Sequence, residues 1–187
     1  TSSFWDNGAG TDVFLDLDNV LFNDSGSASP AIDITATVRP SSVVVSNVLN
    51  AYTFAGAGAI GGAATLTKLG TNTLTLAGAN THSGLTAIKA GRLVYAVNDA
   101  IGSGAVSVTG TTSVLALGTF SDTVGTVTLE SGGQITGTSG TLSTTGSFEL
   151  KGGTVSAILA GSGAVNSTTA NATTLSGSNT YTGPTTV

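Results

Sequence analysis

Apolar and polar residues alternate in short segments through most of the chain. The clearest segments are residues 32–39, 42–49, 74–76, 92–95, 106–108, 114–117, 127–129 and 148–150. A period of two is typical of a β-strand that buries one face. No segment repeats apolar residues at the i, i+3, i+4, i+7 spacing of an amphipathic helix, so the pattern predicts an almost entirely β protein.

The residues between these segments change in character near residue 50. Only Gly8, Gly10 and Gly26 precede that point, and the rest of the 27 glycines follow it in Gly, Asn and Ser-Gly turns. The first 50 residues also hold Arg39 as their single basic residue and six aspartates, Asp6, Asp12, Asp16, Asp18, Asp24 and Asp33. We therefore predict an Asp-rich β segment over residues 1–50 and Gly/Thr-rich repeats over residues 51–187.

The second part of the chain is similar to itself. Residues 76–88 recur as residues 175–187, at an offset of 99 residues. Upstream, residues 56–60 recur as residues 161–165, at an offset of 105 residues. This difference predicts a longer connection in the first copy, for which the natural candidate is a Gly/Asn turn of hairpin type at residues 68–73. Internal repeats of this kind indicate units that stack and share one continuous core.

The composition favours thin, closely stacked β-layers over a bulky globular core. Thr and Ser together supply 55 residues, 40% of residues are apolar and only 8% are charged. This apolar content is adequate for folding, and the apolar side chains are mostly small.

The same composition excludes several classes of function. Five Lys and Arg residues without a basic stripe exclude nucleic acid as a partner. The chain has no Cys, so it has no disulfide framework and no thiol nucleophile. No apolar run approaches the roughly 20 residues of a membrane helix. The opening residues 1–3 carry no signal peptide, as expected of a mature chain after signal removal.

Candidate catalytic residues are few and do not form a recognisable set. His82 is the single histidine, and Tyr181 stands at the equivalent position of the second repeat, so we interpret His82 as a packing residue beside a turn. Polysaccharide cleavage needs two carboxylates that face each other across a groove. The four acids of residues 51–187 are widely spaced and never paired: Asp99, Asp122, Glu130 and Glu149. We predict no catalytic, cofactor-binding or metal-binding residues, and that the protein is not an enzyme.

The Asp-rich start has two interpretations. Asp12, Asp16, Asp18 and Asp24 could supply oxygen ligands for calcium, although no calcium-loop motif is present. The alternation of Asp16 and Asp18 with leucines instead favours a strand with one solvated face. The glycines of residues 56–61 partly resemble a dinucleotide loop, but no helix follows them, and we interpret them as a solenoid turn.

The first copy of the repeat resembles a known family. Residues 66–70, 74–81, 84–86 and 90–93, read together, look like the passenger-associated transport repeat, also called the autotransporter-associated β-strand repeat. Residues 101–106 and 131–137 are similar to the spacers between such repeats, and residues 4–8 look like the opening of the same large secreted proteins. The chain departs from the pattern at His82, where an aromatic residue is usual, and at Leu85 and Pro184, where Gly is common.

The resemblance implies a right-handed parallel β-helix that is exported to the cell surface. We expect an all-β parallel β-solenoid with an Asp-rich N-terminal β segment, located at the cell surface or outside the cell. The expected function is structural, as a segment of an extracellular fibre or stalk that self-associates head to tail or continues the same array. An adhesin passenger that binds a glycan or another surface ligand is the alternative, and a β-helix carbohydrate-active enzyme is a weaker one. We expect no cofactor, no metal, no nucleic-acid partner and no membrane span.

Overall fold

The computed structural model describes residues 5–6, 11–12, 14–25 and 31–187 of the chain. The predicted family-like opening at residues 4–8 therefore lies largely outside the described residues, as do Gly8, Gly10 and Gly26. The strands are β1 (Trp5–Asp6), β2 (Thr11–Asp12), β3 (Asn19–Asn23), β4 (Ala31–Asp33), β5 (Ser42–Ser46), β6 (Tyr52–Ala55), β7 (Thr65–Lys68), β8 (Thr73–Leu76), β9 (Thr86–Ile88), β10 (Gly91–Tyr95), β11 (Val106–Thr109), β12 (Ser113–Gly118), β13 (Asp122–Val124), β14 (Val127–Gly137), β15 (Thr141–Thr144), β16 (Ser147–Val155), β17 (Ile158–Ala160), β18 (Ala164–Asn166), β19 (Thr173–Leu175) and β20 (Thr185–Thr186). The described residues contain no helix, which confirms the all-β prediction.

Parallel pairing stacks these strands into two long ladders. The first runs β3-β5-β7-β9-β11-β14-β16-β18-β20, and the second runs β4-β6-β8-β10-β12-β14-β16-β19. A third, shorter ladder joins β13, β15 and β17, while β1 and β2 form a separate antiparallel pair. β14 and β16 are long enough to enter both long ladders, with a register shift between Glu130 and Gly133. The fold is the predicted parallel β-solenoid, with about eight turns.

Each turn of the solenoid is called a coil here, and coils 1 to 8 are numbered by their first-ladder strands from β3 to β18. Val106 pairs with Val127, and Val127 pairs with Phe148, so one coil spans 21 residues at this height. The ladders pass through residue 50 without a break, because β5 pairs with β7 and β6 pairs with β8. Strand pairing is therefore continuous across the change in composition, and the division into two parts stays a prediction.

The core is a stack of inward-facing apolar side chains. Burial alternates along the strands, so that Val43 and Val45 of β5 are buried while the residues between and beside them are partly exposed. The same register repeats upward, and Val43 pairs with Leu66 on the next coil. Burying a side chain of this size contributes about 1.5–3 kcal/mol relative to leaving it exposed. Repetition of this small contribution over about eight coils stabilises the rod without any bulky central cluster.

Glycine lets the coils meet backbone to backbone at the corners. A Cβ at Gly70 would overlap the backbone carbonyl of Asn47 on the coil below, and one at Gly102 would overlap that of His82. Both contacts are between backbone atoms of stacked coils, so no side chain can move aside to make room. This close approach explains why glycine recurs through the repeat region.

The turn at residues 68–73 is a corner, and the hairpin prediction is wrong. β7 pairs with β5 and β9, whereas β8 pairs with β6 and β10, so the two consecutive strands lie on different faces and do not pair with each other. The proposed equivalence of residues 56–60 and 161–165 is also wrong. Ile60 makes an isolated bridge to Val38, whereas Val165 lies within β18 of the first ladder.

The predicted solvated strand at the Asp-rich start is wrong as well. Asp16 and Leu17 form a turn in which Leu17 has a φ of 75°, and the next strand begins only at Asn19. Leu15 and Leu17 are 62% and 76% exposed, so neither faces the core. The reason is local: Asp18 Oδ2 accepts a hydrogen bond from the Leu15 N–H (2.8 Å), which favours a turn over an extended chain.

Candidate functional site

The acidic side chains of the first coils bind backbone N–H groups of the coil above. Asp24 accepts hydrogen bonds from the N–H groups of Val48, Leu49 and Asn50 at 2.8, 3.0 and 3.0 Å. The bonds from Asn50 and Val48 are the main reason that the pKa of Asp24 is lowered. A carboxylate that accepts three backbone donors is well explained as a cap for a coil corner.

Asp16 has a similar role one corner away. Its Oδ1 accepts the Arg39 N–H at 3.1 Å, and its Oδ2 lies 3.9 Å from the Arg39 guanidinium. Among the described residues no group of three or more His, Cys, Asp or Glu side chains could hold a metal ion. The side chain of Asp12, another proposed ligand, lies outside the described residues, so the calcium interpretation stays open.

Two of the four predicted unpaired acids meet on one outer face of the solenoid. Glu130 of β14 lies directly opposite Lys151 of β16, and Glu149 precedes Lys151 by two residues on the same face. Glu149 Oε1 accepts hydrogen bonds from Ser147 Oγ (2.6 Å) and Asn166 Nδ2 (2.7 Å), which lower the pKa of Glu149. This is a set of hydrogen-bonded side chains on the outer face, and the nearby charge of Lys151 also lowers the pKa of Glu149.

The other two acids lie at a corner beside the buried Tyr95, where Asp122 is buried and Asp99 is exposed. Asp122 is 4% exposed, its Oδ2 accepts the Ile101 N–H at 3.1 Å and its Oδ1 accepts the Thr123 N–H at 2.7 Å. Burial raises the pKa of Asp122 to about 6, and the nearby charge of Asp99 adds to the increase. Burial also raises the pKa of Tyr95, with Asp122 as the next cause.

Two asparagines make the same kind of contact as Asp122. Asn80 Oδ1 accepts the Ile60 N–H at 2.8 Å, and Asn179 Oδ1 accepts the Leu159 N–H at 2.8 Å. In each case a side chain on one coil binds the backbone of the coil before it. We call this set, Asn80, Asp122 and Asn179, the corner ladder.

His82 and Tyr181 have equivalent positions and make equivalent contacts. His82 Nε2 lies 2.9 Å from Thr86 Oγ1, and Tyr181 Oη lies 3.0 Å from Thr185 Oγ1. His82 is fully buried, and burial lowers its pKa. The contacts agree with the predicted packing role of His82 beside a turn.

Lys68 is a buried residue that the sequence reasoning did not single out. It occupies an inward position of β7, is fully buried, and its Nζ donates to the carbonyl oxygens of Gly70 and Ala90. Burial lowers the pKa of Lys68 to about 8. The signal was present in the alternation, because Lys68 follows Leu66 by two residues and so belongs to the apolar face.

The outer face of the first ladder is rich in hydroxyl groups. Thr65, Thr67, Ser107, Thr109 and Thr128 all lie on it, at partly exposed positions between buried ones. Parallel strands place such groups about 4.8 Å apart along the stack. Ala87 of β9 interrupts this column between Thr67 and Ser107, so the face can offer hydrogen-bond donors and acceptors to a partner on either side of coil 4.

The described part of the chain contains no helix with the length and apolarity that a membrane crossing requires. Comparison with known families finds the passenger-associated-transport-repeat at residues 66–94 and again at residues 170–187. The first match covers the residues that carried the resemblance, and the second covers residues 175–187, which repeat residues 76–88, so that interpretation is confirmed. The matches cover about a quarter of the chain and place one copy in coils 3 and 4 and the other in coil 8 and β20. No curated protein and no solved structure matches the chain.

Proposed function

From the premise that the chain carries two passenger-associated transport repeats on a parallel β-solenoid, we propose that it is a structural segment of a secreted fibre or stalk. The repeat and the fold support the coarser part, a passenger-like surface protein. A continuous core and coils of nearly constant size make a rod, and a rod is suited to the role of an elongated spacer. Secretion to the cell surface or beyond belongs to the same proposal.

The observation that carries the proposal is the open edge at each end of the described ladders. Among the strands that the structure describes, β3 pairs only with β5, β19 only with β16 and β20 only with β18. Each edge accepts a further parallel strand, from the same chain or from another copy. A contact between unlike ends that does not close on itself gives a filament.

The upper edge also presents apolar surface. Leu175 pairs with the buried Val155 and so lies in an inward column, yet it is 36% exposed because no coil described in the structure covers it. A further coil on β19 would bury this side chain. The neighbouring Thr174 lies on the opposite, outward side of the same strand.

Electron microscopy of the purified chain in negative stain tests the self-association. We expect rods that join end to end at high concentration and lengthen into filaments. Leu175→Lys should abolish the joining, because it places a charge in the contact, and the matched Thr174→Lys should preserve it. Short monomeric rods at every concentration would refute head-to-tail assembly of this segment.

Adhesion is the second candidate function, and the hydroxyl-rich outer face of the first ladder favours it. A glycan and protein binding array tests it, with Thr67→Lys and Thr109→Lys as variants that place charge on that face. Binding that both variants weaken would support an adhesin. The expectation that the protein is not an enzyme stays a prediction, and polysaccharide turnover abolished by substituting a single acid would overturn it.

A further inference from the structure

A recess at one corner of coils 6 to 8 has no part in the proposed role of the rod. It has a volume of about 430 Å³, which lies within the roughly 300–1,000 Å³ of small-molecule sites. We call it the glycine recess, and its lining includes Ser131, Lys151 and Asn171 together with Gly132, Gly152 and Ala170. Each of the three polar side chains comes from a different coil.

The floor of the glycine recess is a bulge between two long strands. β14 and β16 pass through this corner without a break, and their pairing shifts register after Glu130. From there Ser131 and Gly132 of β14 together face the single Gly152 of β16. A β-bulge of this kind redirects a side chain and is frequent beside functional sites.

Ser131 retains a side chain at a position where the backbone favours glycine. Its φ is 55°, and it is one of only three non-glycine residues with positive φ in the described part of the chain. Gly132 and Gly152, at the same corner, also have positive φ and carry no side chain. Left-handed backbone is unfavourable for a residue with a Cβ, so such a residue is a candidate for a function of its side chain. Ser131 is exposed, so its hydroxyl is accessible from the recess.

Lys151 brings a positive charge to the recess. Among the described residues its Nζ forms no hydrogen bond and no ion pair. The two nearby acids are bound to other side chains, because Glu130 accepts a hydrogen bond from Thr109 Oγ1 (3.3 Å) and Glu149 accepts the two described above. The ammonium group therefore has N–H donors available for a carboxylate.

The connection between β18 and β19, residues 167–172, forms the opposite wall. Two hydrogen bonds hold it against coil 7, from the Gly152 N–H to Thr173 Oγ1 (3.1 Å) and from the Gly153 N–H to the Ala172 carbonyl (3.3 Å). Asn171 is exposed on this connection, and its amide makes no hydrogen bond to the described residues. It offers both a donor and an acceptor to a ligand.

We propose that the glycine recess binds an acidic sugar, with the sugar carboxylate on Lys151 and its hydroxyl groups on Ser131 and Asn171. The described lining contains a cation, a hydroxyl and an amide but no aromatic or large apolar side chain. Affinity must therefore come from charge and hydrogen bonds, which a carboxylated sugar ring supplies together. The recess is wider than a single inorganic anion requires. This inference does not depend on head-to-tail assembly of the rod.

NMR titration of the ¹⁵N-labelled chain with methyl glucuronide tests the proposal. Methyl glucoside is the matched neutral probe, because it has a hydroxymethyl group in place of the carboxylate. We expect methyl glucuronide to shift the amides of residues 131–132, 152–153 and 170–172, and methyl glucoside to bind about tenfold more weakly or worse. No shift at millimolar methyl glucuronide, or shifts confined to other residues, would overturn the proposal.

Variants separate the site from the fold. Lys151→Gln should weaken binding of methyl glucuronide about tenfold or more, whereas Lys89→Gln, at an exposed lysine of coil 4, should leave it unchanged. Ser131→Gly should weaken binding without lowering the thermal midpoint, because glycine accepts the positive φ. Ala170→Trp, at an exposed position of the wall, should block the recess. Binding that Lys151→Gln leaves unchanged, or a glutamate tripeptide that binds as tightly as methyl glucuronide, would contradict an acidic-sugar site.

Discussion

At the scale of single residues, the structure explains most polar side chains by the backbone groups that they satisfy. Asp24 caps three N–H groups of the next coil, and Asn80 joins three coils through one amide. In a solenoid each corner leaves backbone donors and acceptors without a strand partner, and small polar side chains supply one. Lys68 follows the same rule at a buried position, because its Nζ donates to the carbonyl oxygens of Gly70 and Ala90.

The contact between His82 and Thr86 should contribute more to the free energy of unfolding than the equivalent contact between Tyr181 and Thr185. Thr86→Val should lower the free energy of unfolding by about 1–2 kcal/mol, since it leaves a buried ring nitrogen without a partner. Thr185→Val, at the exposed Tyr181 contact, should cost less than about 0.5 kcal/mol. Urea unfolding of both variants checks this, and equal losses would contradict the burial argument.

Lys68 should make stability depend on alkaline pH. Its folded pKa, about 8, lies below the 10.5 of the unfolded chain, so the folded state prefers the neutral amine. Stability should therefore rise as the pH increases from about 8 to about 10.5, and the penalty of the buried charge is complete below that range. Lys68→Met should remove this rise in urea unfolding series at pH 7.5 and pH 10, whereas Lys89→Met, on the next coil, should retain it.

At the scale of elements, sequence alternation located most strands and gave no information on their partners. The strand predicted at residues 32–39 is wrong over most of its length, because β4 ends at Asp33 and only an isolated bridge at Val38 follows. The predicted segments at residues 92–95, 106–108 and 114–117 lie within β10, β11 and β12. The turn at residues 68–73 was mistaken for a hairpin, because alternation shows which face is buried and carries no information on which strand lies alongside. At the Asp-rich start, the hydrogen bond from Leu15 to Asp18 overrode a pattern that favoured a strand.

Stacking of coils at the corners should be sensitive to a single methyl group. Gly70→Ala should cost more than about 3 kcal/mol or prevent folding, because the added Cβ overlaps the backbone of Asn47. Gly78→Ala is the matched control in the same coil, since its nearest neighbours would be at an ordinary 3.5 Å. Comparison of their thermal midpoints tests this, and two similar midpoints would show that the corner can relax.

At the scale of the whole molecule, the sequence predicted the rod and missed its internal chemistry. Self-similarity and the repeat motif were sufficient for a parallel solenoid, since stacking is the one way such units bury their apolar faces. The corner of Asp122 and Tyr95 was missed because the two residues are 27 positions apart in the chain and neither belongs to a motif. Only the coil period brings them together.

The same architecture predicts a graded stability along the rod. Coils 5 to 7 are covered on both sides, and their inward residues such as Leu115, Leu129 and Leu159 are fully buried. The upper end is less well covered, since the inward-facing Leu175 is 36% exposed. Contacts in a solenoid are between nearest neighbours, so local opening should begin at the end coils.

Hydrogen exchange followed by mass spectrometry measures this gradient. At low concentration, amide protection should be highest in β11, β14 and β16 and lowest in β3, β19 and β20. If copies join end to end, protection of β19 and β20 should rise with protein concentration, because the added coil satisfies their open edge. Leu175→Lys should lack this rise and Thr174→Lys should retain it. Uniform protection along the rod would contradict the nearest-neighbour picture, whereas a gradient that ignores concentration would contradict the assembly alone.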